Sequence, residues 1–115
     1  MAQQRAQGLI VGDESVNLTH RRLIVGLVKE AQLPTVYWDR VYFEIGGLMV
    51  YGWSVADQWR RVAGYSARIL QGTKPSDIPI YLESKFQLLV NLKLAKSLGL
   101  TIPGSLLGRA DEVIE

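Results

Sequence analysis

No cysteine occurs in the 115 residues, and histidine occurs once, as His20. The first absence excludes a disulfide framework and a thiolate metal site. The second leaves little for metal or nucleophilic chemistry. A metal site needs several ligands at workable spacing, and a nucleophile needs a base beside it. His20 stands among Thr19, Arg21 and Arg22 in the first turn of an expected helix, the place of a solvated residue. Long apolar runs are missing too. None approaches the roughly 20 residues of a spanning helix. Residues 1–7 are polar where a secretory signal would be apolar, so the chain as written is expected to stay in the cytoplasm. Charge of one sign is scarce: 13 Lys and Arg face 11 Asp and Glu, a net charge of +2. Apart from Arg21-Arg22 and Arg60-Arg61 the cations are scattered, without the basic face that nucleic acid requires. Gly8…Gly12 and Gly46-Gly47 make neither GxGxxG nor a P-loop. No catalytic set, cofactor or metal is expected, and no nucleic-acid partner.

What is present suits one packed domain, with 48% apolar and 21% charged residues. Residues 8–12 read as a buried strand, with Asp13, Glu14 and Ser15 at its carboxyl end. The rhythm of Leu23, Ile24, Leu27, Val28 and Ala31 predicts a helix over 18–32, capped by Asn17 or Thr19 and ended by Pro34. A second strand over 35–38, a helical turn or two over 39–45 and a third strand over 48–51 follow, the last entered through Gly46-Gly47. Ser54, with Asp57 three residues on, opens a helix that runs to Gln71 and stops at Gly72. Its stripe of Val55, Trp59, Val62, Ser66 and Ile69 is expected to face the core. After a loop over 74–79, residues 85–92 alternate as a strand. Asn91 is either part of that strand or the cap of a helix over 92–98, closed by Gly99; Ser105 caps a last helical stretch to Val113 and Ile114. This order predicts an α/β fold in three layers, a mostly parallel sheet of about four strands with three to four helices.

Binding is better supplied than catalysis. Tyr37, Trp38, Tyr42, Phe43, Tyr51 and Trp53 fall within seventeen positions, several at strand ends. In open α/β sheets, ligands sit outside the carboxyl ends of the strands, where aromatics stack on rings or face cations.

Several motifs carry a resemblance. Among them are Leu33-Pro-Thr-Val-Tyr37, Gly46-Gly-Leu-Met-Val-Tyr-Gly52, Arg60-Arg61-Val-Ala-Gly-Tyr65, Ile69-Leu-Gln-Gly-Thr-Lys-Pro-Ser-Asp-Ile-Pro79, Val90-Asn-Leu-Lys93, Leu98-Gly-Leu-Thr-Ile-Pro103 and Arg109-Ala-Asp-Glu-Val-Ile114. In order and spacing the chain from about Gly8 resembles the C-terminal part of ABC transporter substrate-binding proteins, in the branch linked to tryptophan, tyrosine and related solutes. Members often carry Ser where Val50 stands, Pro where Trp38 stands and Pro-Ser where Gly104-Ser105 stands.

The resemblance implies a type I periplasmic-binding-protein-like architecture: two lobes joined by a hinge, with solute trapped between them and a membrane permease as partner. The intact relative would be periplasmic or otherwise extracytoplasmic, and this chain a single α/β unit from its tail. Gly46, Gly47 and Gly52 would lie at the hinge crossing. Asp13, Glu14, Tyr37, Trp38, Asp39 and Tyr51 would face a small amino-acid-like or aromatic solute, the acids holding an ammonium and the aromatics a ring. A lobe without its mate exposes apolar surface, which favours association, so a homodimer is expected. The alternative is a self-associating structural remnant without a ligand.

Overall fold

The computed structural model describes residues 6–115. Its centre is one sheet of β1 (Leu9–Val11), β2 (Thr35–Tyr37), β3 (Met49–Trp53), β4 (Phe86–Asn91) and β5 (Glu112–Ile114), lying side by side in chain order. β1, β2 and β3 are mutually parallel, β4 runs antiparallel to β3, and β5 is parallel to β4. The sheet is mixed and mostly parallel, with five strands where about four were expected. Six helices accompany it among the described residues: α1 (Ser15–Thr19), α2 (Arg21–Glu30), α3 (Arg40–Glu44), α4 (Val55–Leu70), α5 (Leu92–Ser97) and α6 (Gly104–Leu107).

Two expectations need correction. The helix over 18–32 is broken at His20 into α1 and α2, and Asn17 and Thr19 cap nothing. The Thr19 hydroxyl donates back to the Ser15 carbonyl (2.9 Å), a bond that competes with helix propagation. Nor is the C-terminal stretch one helix. Pro103, not Ser105, holds the N-cap position of α6, and the chain then extends as β5. Asp111 enforces this: its backbone N–H donates to the Leu88 carbonyl, and its carboxylate accepts from the Leu88 N–H, both at 2.8 Å. That pair of hydrogen bonds lays β-branched Val113 and Ile114 along β4.

Side-chain alternation divides the sheet into two faces. Val11, Tyr37, Val50 and Leu89 point to one, where Val25 of α2 and Tyr42 and Phe43 of α3 complete the core. By register, Ile10, Val36, Met49, Tyr51, Phe86 and Leu88 share the other. Leu106 of α6 covers that second face near β4. Over β1 to β3 it is open among the described residues, with Ile10 81% and Tyr51 56% exposed.

α4 has the ends its sequence predicts. The Ser54 hydroxyl accepts from the Asp57 N–H (3.2 Å), and Gly72 takes the left-handed conformation (φ +101) that closes the helix. Its apolar stripe, however, is not core. None of its sixteen residues is buried, and Trp59 and Leu70 are 65% and 88% exposed. α4 stands away from the sheet, so the radius of gyration is 17.7 Å. A compact domain of this length has about 13 Å.

Candidate solute cleft

Strand direction assembles one edge of the sheet. Asp13 and Glu14 follow β1, Trp38 and Asp39 follow β2, and Trp53 ends β3. Because β4 and β5 run the other way, Lys85 and Asp111, which precede them, reach the same edge. The chain leaves this edge through Ser54 into α4 and returns beside its exit, since Trp53 pairs with Phe86.

The expected site residues divide by location. Tyr37 is buried in the core and stacked on Tyr42, with ring centroids 4.7 Å apart and planes 14° from parallel. Burial pushes its hydroxyl up to about 12; a bond with Thr35 opposes the rise, and Tyr42 adds to it. Trp38 is half-buried against Trp53, centroids 5.8 Å apart. Asp39 caps α3 by accepting from the Val41 N–H (2.7 Å), a structural task. Asp13 and Glu14 are exposed, and Glu14 makes no side-chain cap to α1. Tyr51 belongs to the open sheet face, where it stacks on Phe86 at 5.3 Å. The fold therefore brings Asp13, Trp38 and Asp39 to one edge and sets Tyr37 beneath and Tyr51 across the sheet.

Tyr42 joins that group. Burial is the main cause raising its hydroxyl pKa; the Trp38 indole beside it lowers it, Asp39 and Asp13 raise it, and Arg21 lowers it. Yet the Tyr42 hydroxyl and the indole N–H groups of Trp38 and Trp53 make no hydrogen bond among the described residues. Buried polar atoms left unpaired are rare, and here three lie along one edge.

The glycines are placed by backbone geometry. Gly46 (φ +95) and Gly47 form the turn between α3 and β3, at the end of β3 away from the exit to α4. A Cβ on Gly47 would come within 2.8 Å of the Tyr42 carbonyl oxygen. Gly52 lies in β3 near the exit, pressed against the Trp38 backbone.

A second group escaped the sequence reading. Asp57, Arg61, Tyr81, Glu83, Lys85 and Phe86 line a cavity of about 670 Å³ between α4, the returning segment and the sheet edge. Arg61 pairs with Glu83 at 2.9 Å and places its guanidinium 3.4 Å from the Tyr81 ring centre. Glu83 also accepts from the Ser84 and Lys85 N–H groups at 3.1 and 3.0 Å. Its bond to Arg61, then these backbone bonds, hold its carboxyl below the usual range. The only sequence trace was the Arg60-Arg61 pair; its partner lies 22 residues on, and no local pattern links them. Among the described residues no cluster of three potential ligands is placed to hold a metal, and no helix is long and apolar enough to cross a membrane.

A mixed, mostly parallel α/β sheet whose chain exits and re-enters at one edge is the architecture this chain shares with periplasmic-binding-protein-like domains. The chain matches the family described as ABC transporter substrate binding protein over residues 2–114, and it belongs to that family. It is similar to the ABC domain of Streptococcus pneumonia in complex with L-Trp, at 25% identity and TM-score 0.88, covering 98% of this chain and 38% of that one. A conserved domain protein of Vibrio cholerae shares the fold at 22% identity and TM-score 0.87, covering 96% of this chain and 37% of that one. The ligand-free, open structure of a Clostridium difficile substrate binding protein with adhesive properties matches at 19% identity and TM-score 0.60, covering 92% and 36%. The chain thus spans less than two fifths of each. A search of curated proteins finds no match. The family is one of substrate-binding proteins rather than an enzyme class.

Proposed function

We propose that this chain forms the C-terminal part of a two-lobed, non-catalytic solute receptor for an ABC uptake permease, working outside the cytoplasm in its intact form. The carrying observation is the cavity at the edge where the chain crosses out and back. Its volume of about 670 Å³ falls within the few hundred to a thousand that small-molecule sites occupy. Its lining offers acids (Asp57, Glu83), cations (Arg61, Lys85) and rings (Tyr81, Phe86). This set suits a small zwitterion with an aromatic or apolar side chain. The acids answer an ammonium, the cations a carboxylate and the rings the side chain. Along the same edge Asp13, Glu14, Trp38 and Asp39 extend the polar and aromatic rim, whereas Tyr37 and Tyr51 act as supports. The L-Trp bound by the Streptococcus relative agrees with this class.

Isothermal titration of the chain with L-Trp, L-Tyr and non-aromatic amino acids tests the reading. Saturable heat with an aromatic amino acid, lost in Arg61→Ala, is expected. No heat across the panel rejects solute binding by this chain. It leaves the second reading, a self-associating module without a ligand, favoured by the open apolar surfaces on α4 and the sheet.

A further inference from the structure

The charged groups lining the cavity between α4 and the returning segment differ in what they have already bonded. Its acids are occupied. Glu83 accepts from the Arg61 guanidinium at 2.9 Å, from the Ser84 and Lys85 N–H groups at 3.1 and 3.0 Å, and from the Tyr81 hydroxyl at 3.3 Å. A carboxylate has about four acceptor sites, so Glu83 has none to spare. Asp111 is committed to the Leu88 N–H (2.8 Å) and Asp57 to Arg60 (2.6 Å). One face of the Tyr81 ring, a natural seat for a cation, already carries Arg61 at 3.4 Å.

The donors are in the opposite position. A guanidinium has five N–H donors in a rigid fork, and only the Nη1 group of Arg61 meets an acceptor among the described residues. The Lys85 ammonium makes no hydrogen bond or ion pair among them. Its backbone N–H, however, shares the Glu83 carboxyl group with Arg61. Both cations thus line the cavity around one carboxylate, with N–H groups left over. A solute carboxylate meets these unused donors, and its bonds to an arginine fork are among the stronger ones available. A solute ammonium has to share or displace a bond that already exists.

We propose that Arg61 and Lys85 grip the solute by its carboxylate and that its amino group is dispensable, so that the cavity takes aromatic monocarboxylates as a class, amino acids among them. This rests on the solute-binding function proposed for the cavity and names the class of solute. The acids of the lining add little for an ammonium, because they answer cations and amides of the chain first.

Isothermal titration of the 115-residue chain with three ligands sharing one ring decides the matter. They are L-Trp, indole-3-propionate, which lacks the amino group, and tryptamine, which lacks the carboxylate. Indole-3-propionate is expected to bind within about tenfold of L-Trp, the worth of one charge-assisted hydrogen bond. Tryptamine is expected to bind more than about tenfold more weakly than L-Trp. Lys85→Met, at an exposed position, should weaken both carboxylates by about tenfold, with far-UV circular dichroism checking that the fold is unaltered. The comparison of the three ligands needs no variant. Tryptamine within about tenfold of L-Trp, indole-3-propionate beyond it, or a folded Lys85→Met chain that binds L-Trp as the parent does overturns the proposal while leaving solute binding in place. Heat from none of the three overturns both.

Discussion

Gly52→Ala is the sharpest single test of how the cleft edge is built. A Cβ at this position would overlap the Trp38 carbonyl oxygen outright and lie 2.8 Å from its carbon. The obstacle is backbone, so no rotamer change relieves it, and β3 must move away from the end of β2 or distort its pairing with β4 at Gln87. Overpacking costs 1–3 kcal/mol where side chains yield; with a carbonyl in the way about 3 kcal/mol is expected. At roughly 4 °C per kcal/mol for a domain of this size, the melting temperature should drop by about 12 °C. Gly64, inside α4, provides the control: a Cβ there meets no atom within 4 Å. Gly64→Ala should raise stability by about 0.5–1 kcal/mol through helix propensity alone. Thermal and urea melts followed by far-UV circular dichroism measure both. A Gly52→Ala chain melting with the parent would refute the contact and, with it, the placement of Trp38 against β3.

Other perturbations have defined outcomes. Asn91→Ala removes the acceptor of the Leu94 N–H (2.9 Å) at the start of α5 and should cost about 1 kcal/mol in urea melts, with Asn91→Asp nearly neutral. Tyr37 titrates at about 12 when folded against 10 when unfolded. The folded state therefore holds the proton more tightly, stability is complete below pH 10, and it falls between pH 10 and 12 by up to about 3 kcal/mol; a Tyr37→Phe chain should lose this slope. Tyr42→Phe deletes a buried hydroxyl that has no partner, so melting should be unchanged or improved, whereas a loss above about 1 kcal/mol would reveal a bond the hydroxyl makes. Arg61→Ala should speed hydrogen exchange at the Ser84 and Lys85 amides, which depend on the Glu83 carboxylate that Arg61 holds. Because that carboxyl pKa is lowered, the brace persists above the ordinary glutamate range and is lost only as pH falls below it. Unchanged exchange in the variant would remove the brace from the account.

Local chemistry was legible in the sequence wherever one residue decides an outcome. Ser54 with Asp57, Asn91 before Leu92, and the glycines at 72 and 99 mark helix ends that the structure reproduces, with positive φ at both glycines. Periodicity likewise identified the apolar side of α4. It carries no information about whether anything lies against that side, which is why Trp59 was assigned to the core. The strand at 112–114 was illegible for a related reason. Its conformation is set by Asp111 bonding to Leu88, a contact across 23 residues, against a local pattern that reads as helix. At the site, the strand-end rule collected Asp13, Trp38 and Asp39 but could not assign faces. The β2–β3 register sets Tyr37 beside Val50 and so sends Tyr51 to the opposite side, and only the packing of α2 and α3 makes the Tyr37 side the core.

The reversal between β3 and β4 brings the chain's exit and return together at one edge. Had β4 run parallel to β3, the chain would have had to traverse the sheet's length after α4 and re-enter at the far edge, leaving one tether to α4. Antiparallel pairing puts the exit, Trp53-Ser54, beside the return, Ser84-Lys85, with Trp53 and Phe86 in register. Two adjacent tethers thus join α4 to the sheet. Arg61, about two turns into α4, and Glu83, next to the return at Ser84, tie the outgoing helix to the incoming segment. The cavity lies in the angle between α4, the returning segment and the sheet edge, lined by charges and rings. Ser54 and Ser84 stand at the element ends where the chain leaves and re-approaches the sheet. The glycines lie elsewhere along β3: Gly46 and Gly47 form the turn at its other end, and Gly52 packs closely within the sheet.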